Sequence, residues 1–277
     1  MHPEFRADIH CHTNCSDGSD DPIALLHLAK EVDLQGLSIT DHDTIAAYAP
    51  KLFEMAKELG IEILPGIEIS SEWERASVHI LGYGFDLEDR AFRTFLEEMQ
   101  TRRTERNRAI LEKLAKFKVP VLEKELQALA DQLPYKKTIG RPHIAELMVQ
   151  KGYVATTQEA FEKYLKEGAC CYSSGIRYTP RDVIDKIHLA KGKAVLAHPH
   201  FIKRRHFLKS LLSLPLDGIE CYYAKLPKAQ ELPWLQLAKE RNWIATGGSD
   251  YHGALKPHIA LGSSWVNRTI FDKLLNP

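Results

Sequence analysis

Two histidines stand one residue apart in Asp8-Ile9-His10-Cys11-His12, and an acid-glycine turn, Asp17-Gly18, follows them. On an extended strand residues i and i+2 share a face, so His10 and His12 point together and Cys11 points away. Two imidazoles, with the Asp17 carboxylate returning from the turn, make half of a metal shell. The theme recurs where other apolar runs end. The second ends Thr40-Asp41-His42-Asp43, the third gives Pro65-Gly66-Ile67-Glu68, and the fourth contains His79. Ala197-His198-Pro199-His200 closes the fifth, Glu220 lies near the end of the sixth, and Gly248-Ser249-Asp250-Tyr251-His252 closes the last. These groups exceed what one tetrahedral ion takes, so two or three divalent ions are implied. Nitrogen and oxygen donors without thiolate favour manganese, iron or zinc.

The elements that must position these groups alternate. Apolar runs at Phe5–Ile9, Gly36–Thr40, Ile61–Pro65 with its continuation to Ile69, Val78–Tyr83, Ala194–Ala197, Gly218–Tyr222 and Trp243–Thr246 read as buried strands. Helical patterns start at Asp21-Pro22, near Pro50 and at Thr179-Pro180, each with proline at the first helical position. Strand-helix alternation predicts parallel pairing with right-handed crossovers, in an open sheet or a barrel. In a barrel the carboxyl ends of the strands converge, so ligands far apart in sequence meet on one face. The alternation breaks between Glu88 and Tyr178, where the pattern is helical throughout and Thr156-x-x-Glu159 forms a capping box.

With 277 residues, 44% of them hydrophobic, the chain has material for one large α/β domain with an insert. Lys+Arg and Asp+Glu both total 37, so no global field holds a long nucleic acid and no stable duplex partner is expected. No signal peptide and no membrane span are read, which predicts a cytoplasmic protein without a membrane partner. The five cysteines form no disulfide framework, and Cys170 and Cys171 are adjacent.

Asp8-x-His10-x-His12-Thr13-x-x-Ser16-Asp17-Gly18, Thr40-Asp41-His42-Asp43, Pro65-Gly66-Ile67-Glu68, Ala197-His198-Pro199 and Gly248-Ser249-Asp250-Tyr251-His252 resemble the successive motifs of the PHP (polymerase and histidinol phosphatase) family. The resemblance implies a distorted seven-stranded β/α barrel formed by residues 1–90 and 179–277, with residues 91–178 as a helical insert capping the site. It implies two or three divalent ions, manganese first, with zinc or iron as alternatives. One ion would take His10, His12, Glu68 and Asp250, a second would share Glu68 and take His79 and His198, and a third would take Asp17, His42 and His252. Gly140-Arg141-Pro142-His143, Ala160-Phe161, Tyr164-Leu165 and the region of Tyr172 are similar to standalone PHP phosphoesterases. Those act as nucleoside 3',5'-bisphosphate phosphatases and as 5'-to-3' exoribonucleases on short RNA. Two departures stand out: His200 where glycine is usual, and Cys170-Cys171-Tyr172-Ser173-Ser174.

The expected function is therefore metal-dependent phosphoester hydrolysis on a small nucleotide or the 5' end of a short single-stranded RNA. A metal-activated hydroxide would attack phosphorus in line, with Asp250, Glu68 and His198 as the catalytic groups. Glu68 would bridge ions and Asp250 would orient the nucleophile. Arg141 is the first choice for a further phosphate, because guanidinium grips phosphate bidentately and a helix N-terminus assists; His143, Arg177 and His200 are lesser candidates. Arg103 and Arg106 interrupt an apolar stripe running from Phe92 to Phe117, where snorkelling or internal salt bridges are expected before a cleft role. Lys203-Arg204-Arg205 reads as a solvated face before an RNA contact. Histidinol-phosphate phosphatase is the alternative enzyme, disfavoured by the helical insert. A non-catalytic metal-binding or polymerase-associated module is the alternative of another class, disfavoured by the intact ligand set.

Overall fold

The computed structural model describes residues 4–74, 76–131, 138–175 and 178–275. Its strands form two sheets. In the first, β1 (Ala7–Cys11), β2 (Gly36–Ile39) and β3 (Glu62–Ile63) pair in parallel. In the second, β4 (Gly66–Trp73), β5 (Ala76–Tyr83), β6 (Lys193–Leu196), β7 (Gly218–Tyr223) and β8 (Ile244–Gly248) lie in that order. The crossovers are α1 (Pro22–Glu31) and α2 (Pro50–Leu59) in the first sheet, and α8 (Arg205–Leu211) and α9 (Lys228–Arg241) in the second, with α7 (Pro180–Leu189) leading into β6 and α10 (Arg268–Leu275) following β8. Asp21 and Thr179 cap α1 and α7 through their side chains, and proline opens each helix as the sequence suggests.

Parallel pairing fails at β5, which is antiparallel to both β4 and β6. Trp73 and Ala76 are partners across the turn, and so short a connection can only reverse the chain. The expected single run from Ile61 to Ile69 is split at Pro65 into β3 and β4, since proline has no amide hydrogen to continue a ladder. The closed seven-stranded barrel is likewise not what the described strands form. Among the described residues the two sheets are joined by isolated bridges, Cys11 with Tyr251 and His42 with Glu68. At the first seam the Asp250 amide donates to the His10 carbonyl (2.7 Å) and the His12 amide to the Tyr251 carbonyl (2.9 Å). Gly248 makes that approach feasible, because a Cβ there would collide with the backbone and Cβ of His10. At the second seam the Asp43 amide donates to the Glu68 carbonyl (3.0 Å). Irregular backbone at both seams is what turns ligand side chains toward one another.

The regular elements among the described residues of 88–178 are all helices, joined by turns and irregular segments. The long α3 (Arg90–Lys116) is followed by α4 (Glu123–Ala130), α5 (Arg141–Gln150) and α6 (Thr157–Ala160), the last continuing as a π-helical turn over Phe161–Leu165. The first half of α3 joins the core of the second sheet through Phe92, Phe95, Leu96 and Met99. Its second half joins a separate core, with Ile110 and Leu114 packed among Ile144, Met148, Ala160 and Leu165. The helix is thus a beam with one end in each core, and Arg103 and Arg106 are buried between the two.

Asp8 ties the first seam together from inside. Its buried carboxylate accepts from the amides of Ser249 (2.9 Å) and Gly262 (2.8 Å), and burial pushes its pKa up. Asp8→Ala should lower the unfolding free energy by about 2–4 kcal/mol in urea titration, because two buried amides lose their acceptor. Asp8→Asn should lose less, and a loss under about 0.5 kcal/mol in the alanine variant would contradict this role.

Candidate metal centre

His10 and His12 leave the end of β1 fully buried. Asp17 is brought back by a turn held on Asp41, whose carboxylate accepts from the Thr13 amide (2.8 Å) and from the hydroxyls of Thr13 (2.5 Å) and Ser16 (2.5 Å). Gly18 closes that turn where a Cβ would strike the His12 carbonyl. Glu68 comes from β4, His79 from β5, His42 from the segment after β2, His198 from the segment after β6, and Asp250 and His252 from the segment after β8.

All nine expected ligands come together, and most meet at Glu68. His12 Nε2 and His10 Nε2 lie 3.1 and 3.3 Å from Glu68 Oε2, and 3.3 and 3.5 Å from Asp250 Oδ1. These four residues can hold one ion. His79 Nδ1 and His198 Nε2 lie 2.7 and 2.9 Å from Glu68 Oε1, with His42 Nδ1 3.4 Å from Oε2. Asp17 faces His252 (3.5 Å), His12 (3.7 Å) and His42 (3.7 Å), a further group able to hold an ion. Both ring nitrogens of His12 and Nδ1 of His42 are buried without a hydrogen-bond partner, although carboxylate oxygens lie close by. Donors that converge on carboxylates without hydrogen bonding them are disposed as atoms sharing a cation, so the residues fit divalent metal.

The electrostatics agree. Burial raises the carboxyl groups of Asp17, Glu68 and Asp250, yet the basic groups around them outweigh it: His42 and then other histidines for Asp17 and Glu68, Lys256 and then histidines for Asp250, so all three stay below the usual range. Burial pulls His12 down, but the Asp250 and Glu68 carboxylates beside Nε2 bring it up to about 9. His10 is raised against its burial by Glu220, Glu68 and Asp250. His42 and His252 go the other way through burial and neighbouring imidazoles, His252 to about 4.

Outside the ligands, Glu220 accepts from His10 Nδ1 (2.7 Å), leaving Nε2 toward the cluster, and its second oxygen accepts from the His198 amide (2.7 Å). Asp250 Oδ2 accepts from the Tyr223 hydroxyl and the Lys256 ammonium, both at 2.6 Å, so Oδ1 is left for the histidine pair. Sequence reasoning gave Asp41, Tyr223 and Lys256 no role and left Glu220 unassigned. An acid inside the apolar run Gly218–Tyr222 was the one available signal.

A cavity of about 850 Å³ opens over the cluster. Arg103, Arg106 and Arg141 reach it from α3 and α5. Arg141 lies over the Tyr172 ring (5.4 Å) and donates to the Leu165 carbonyl (3.3 Å). Arg103 is salt-bridged to Asp43 and donates to the Ser70 hydroxyl (2.9 Å). The expected salt bridge does not extend to Arg106. Its Nε is buried without a partner, its Nη2 is 3.5 Å from the Asn107 amide oxygen, and no carboxylate among the described residues is within ion-pair distance. His200 lines the cavity as expected. His143 does not: it is buried, with Nδ1 accepting the Gly140 amide (3.0 Å), because a side chain in the first turn folds back over the residue before the helix. Arg177 lies outside the described residues.

The family profile described as PHP domain matches residues 8–212. The chain is 34% identical over 261 residues to the 5'-3' exoribonuclease Rnm of Escherichia coli, covering 92% of this chain and 87% of that protein. It is 31% identical over 250 residues to the 3',5'-nucleoside bisphosphate phosphatase of Chromobacterium violaceum, covering 88% and 86%. A solved structure from Bifidobacterium adolescentis, described as a candidate metal-dependent phosphoesterase, superimposes with a TM-score of 0.86 at 30% identity over 97% of this chain and 95% of that one.

With its pKa at about 9, His12 is protonated at neutral pH in the metal-free protein and must lose that proton to bind an ion; His10 is shifted in the same direction by Glu220, Glu68 and Asp250. Metal binding should therefore release protons and tighten as pH rises, by about tenfold or more per unit between pH 7 and 8. Calorimetry with Mn²⁺ in buffers of different ionisation enthalpy reads both effects, and a pH-independent affinity with no proton release would contradict them.

Proposed function

Because the chain belongs to the PHP domain family, we propose that it is a metal-dependent phosphoesterase cleaving the 3'-phosphoester of a 5'-phosphorylated nucleotide, either a free nucleoside 3',5'-bisphosphate or the 5' end of short RNA. Both substrates present one phosphoryl group to be cut and a second to be held. The observation that carries this reading is the unpaired Arg106 in the wall of the cavity that opens over the metal cluster. Burying a cation without a partner is expensive, and a ligand phosphate supplies the missing anion. Arg141 joins it from a helix N-terminus, and Arg103, anchored on Asp43, fixes the back of the same wall.

His10, His12, Glu68 and Asp250 would hold one divalent ion, Glu68, His79 and His198 a second, and Asp17, His42 and His252 a third; manganese is our first choice, with zinc or iron as alternatives. Bound ions supply a water of near-neutral pKa and charge neutralisation at phosphorus. The chain's own groups do the rest. Glu68 presents both oxygens to the cluster, Glu220 fixes the His10 ring, and Tyr223 with Lys256 aims Asp250. We assign residues 1–90 and 179–277 to the metal-binding unit and 91–178 to an insert that caps it, since α3 and α5 bring the guanidinium wall over the cluster. Among the described residues no helix is long and apolar enough to cross a membrane. All five cysteines are free thiols, which suits work in the reducing cytoplasm.

Incubation with Mn²⁺ should release phosphate from adenosine 3',5'-bisphosphate and mononucleotide from a 5'-phosphorylated oligoribonucleotide, and a chelator should stop both. Turnover of histidinol phosphate alone would overturn the nucleotide reading. Arg106→Met should raise KM for adenosine 3',5'-bisphosphate about tenfold or more while thermal stability stays equal or rises, because the free protein loses a buried unpaired charge. An unchanged KM would remove Arg106 from the phosphate site.

A further inference from the structure

Part of the cavity wall, formed by the segment after β6, the end of β7 and the turn that follows it, has a face that neither the metal cluster nor the second phosphate uses, although the Tyr223 hydroxyl also holds Asp250. That face is aromatic. The Phe201 ring lies 5.6 Å from that of the ligand His198, 4.2 Å from His200 and 5.5 Å from Tyr223, and Tyr223 lies 4.6 Å from His200. Phe201 is 56% exposed although it adjoins the cluster, so a ring face is presented to the cavity rather than to the core. Lys203 and Lys225 flank it on the same wall; both are exposed, and neither has a carboxylate within ion-pair distance among the described residues. Lys225 is held in the left-handed region (φ 60°) by a turn in which the Leu226 amide donates to the Tyr223 carbonyl (3.0 Å). A lysine adopts that backbone at a cost.

Exposed aromatic faces interleaved with unpaired cations are how proteins follow a single strand, since every base has a face to stack and every link a phosphate to neutralise. A free bisphosphate has one base and two phosphates, and the cluster and guanidinium wall already engage both phosphates. Phe201 lies beside His198 at the edge of the cluster, so its face is open to a strand that continues beyond the scissile bond. Building on the phosphoesterase reading, we propose that Phe201, Tyr223, Lys203 and Lys225 form an exit track for the leaving strand, and that single-stranded RNA several nucleotides long, rather than the free bisphosphate, is the substrate this site is shaped for. The first base of the leaving strand stacks on Phe201, and the phosphates that follow pass Lys203 and Lys225. An unpaired base is required, so a duplex end does not fit.

The test compares kcat/KM for a 5'-phosphorylated pentaribonucleotide with that for adenosine 3',5'-bisphosphate, using Mn²⁺, in the wild type, Phe201→Ala and the double variant Lys203→Ala/Lys225→Ala. The ratio should fall about tenfold or more in each variant. In the double variant the slope of log KM for the oligonucleotide against log salt should also shrink by about 1.4, two phosphate contacts at ~0.7 each. Phe201 touches a ligand ring, so the lysine pair keeps the test decisive if Phe201→Ala disturbs the cluster. Unchanged ratios in a wild type that cuts both substrates would overturn the track, as would a wild type that cuts the bisphosphate and ignores the oligonucleotide; the second result leaves the proposed function standing. If neither is hydrolysed, the proposed function fails, and anisotropy of a 3'-labelled oligonucleotide still decides the track: equal affinity in wild type and double variant overturns it, and weaker binding in the variant supports it.

Discussion

Glu68 is 1% exposed, and five imidazoles lie within 3.4 Å of its two carboxylate oxygens. A carboxylate taken out of water without such partners would be protonated or would unfold the site. The five rings arrive from both sheets, from β1, β5 and the segments after β1, β2 and β6. The strands must therefore end where this carboxylate sits, and the bridge between His42 and Glu68 is the seam at which the sheets approach. Three carboxylates in one buried cluster carry more negative charge than the Lys256 ammonium beside Asp250 balances, and imidazolium or metal ions can take up the rest. His12, raised to about 9, supplies such a charge in the free protein, which ties the expected metal binding to proton release.

Such a convergence strains the chain, and the strain is placed beside the ligands. Asp43, His198 and Asp250 have φ of 54°, 30° and 57°, a region that side chains other than glycine enter at a cost. Each is held by neighbours that take no part in ligation. Arg103 and Ser70 fix Asp43, Glu220 grips the His198 amide, and Tyr223 with Lys256 fixes Asp250. The Arg103–Asp43 pair has a second consequence, because it fastens α3 to the loop that carries His42. The guanidinium wall and the candidate metal cluster are thus positioned by the same contacts, so the distance between them is built into the fold.

The ligand set was legible because strand alternation is a reliable geometry: His10 and His12 share a face wherever the strand goes, and acids and histidines at strand ends meet when the strands converge. The topology was less so. The turn between Trp73 and Ala76 contains neither glycine nor asparagine, so nothing marked a hairpin, and Glu74 supplies the left-handed residue (φ 49°) itself. Arg103 and Arg106 look alike on the helical stripe, yet one meets Asp43 and the other meets no carboxylate among the described residues, a distinction made by long-range packing. His143 and Arg141 share one short motif, yet a step of two residues along a helix turns their side chains to different faces, so Arg141 reaches the cavity and His143 folds back on Gly140.

The most direct test of the account is the metal content of purified Glu68→Ala, set beside wild type and His198→Ala and read by elemental analysis on protein shown to be folded by circular dichroism. If Glu68 is the shared carboxylate, its variant should lose about two ions per chain while His198→Ala loses about one at most. A folded Glu68→Ala protein that keeps the wild-type metal content would contradict the central place given to that carboxylate.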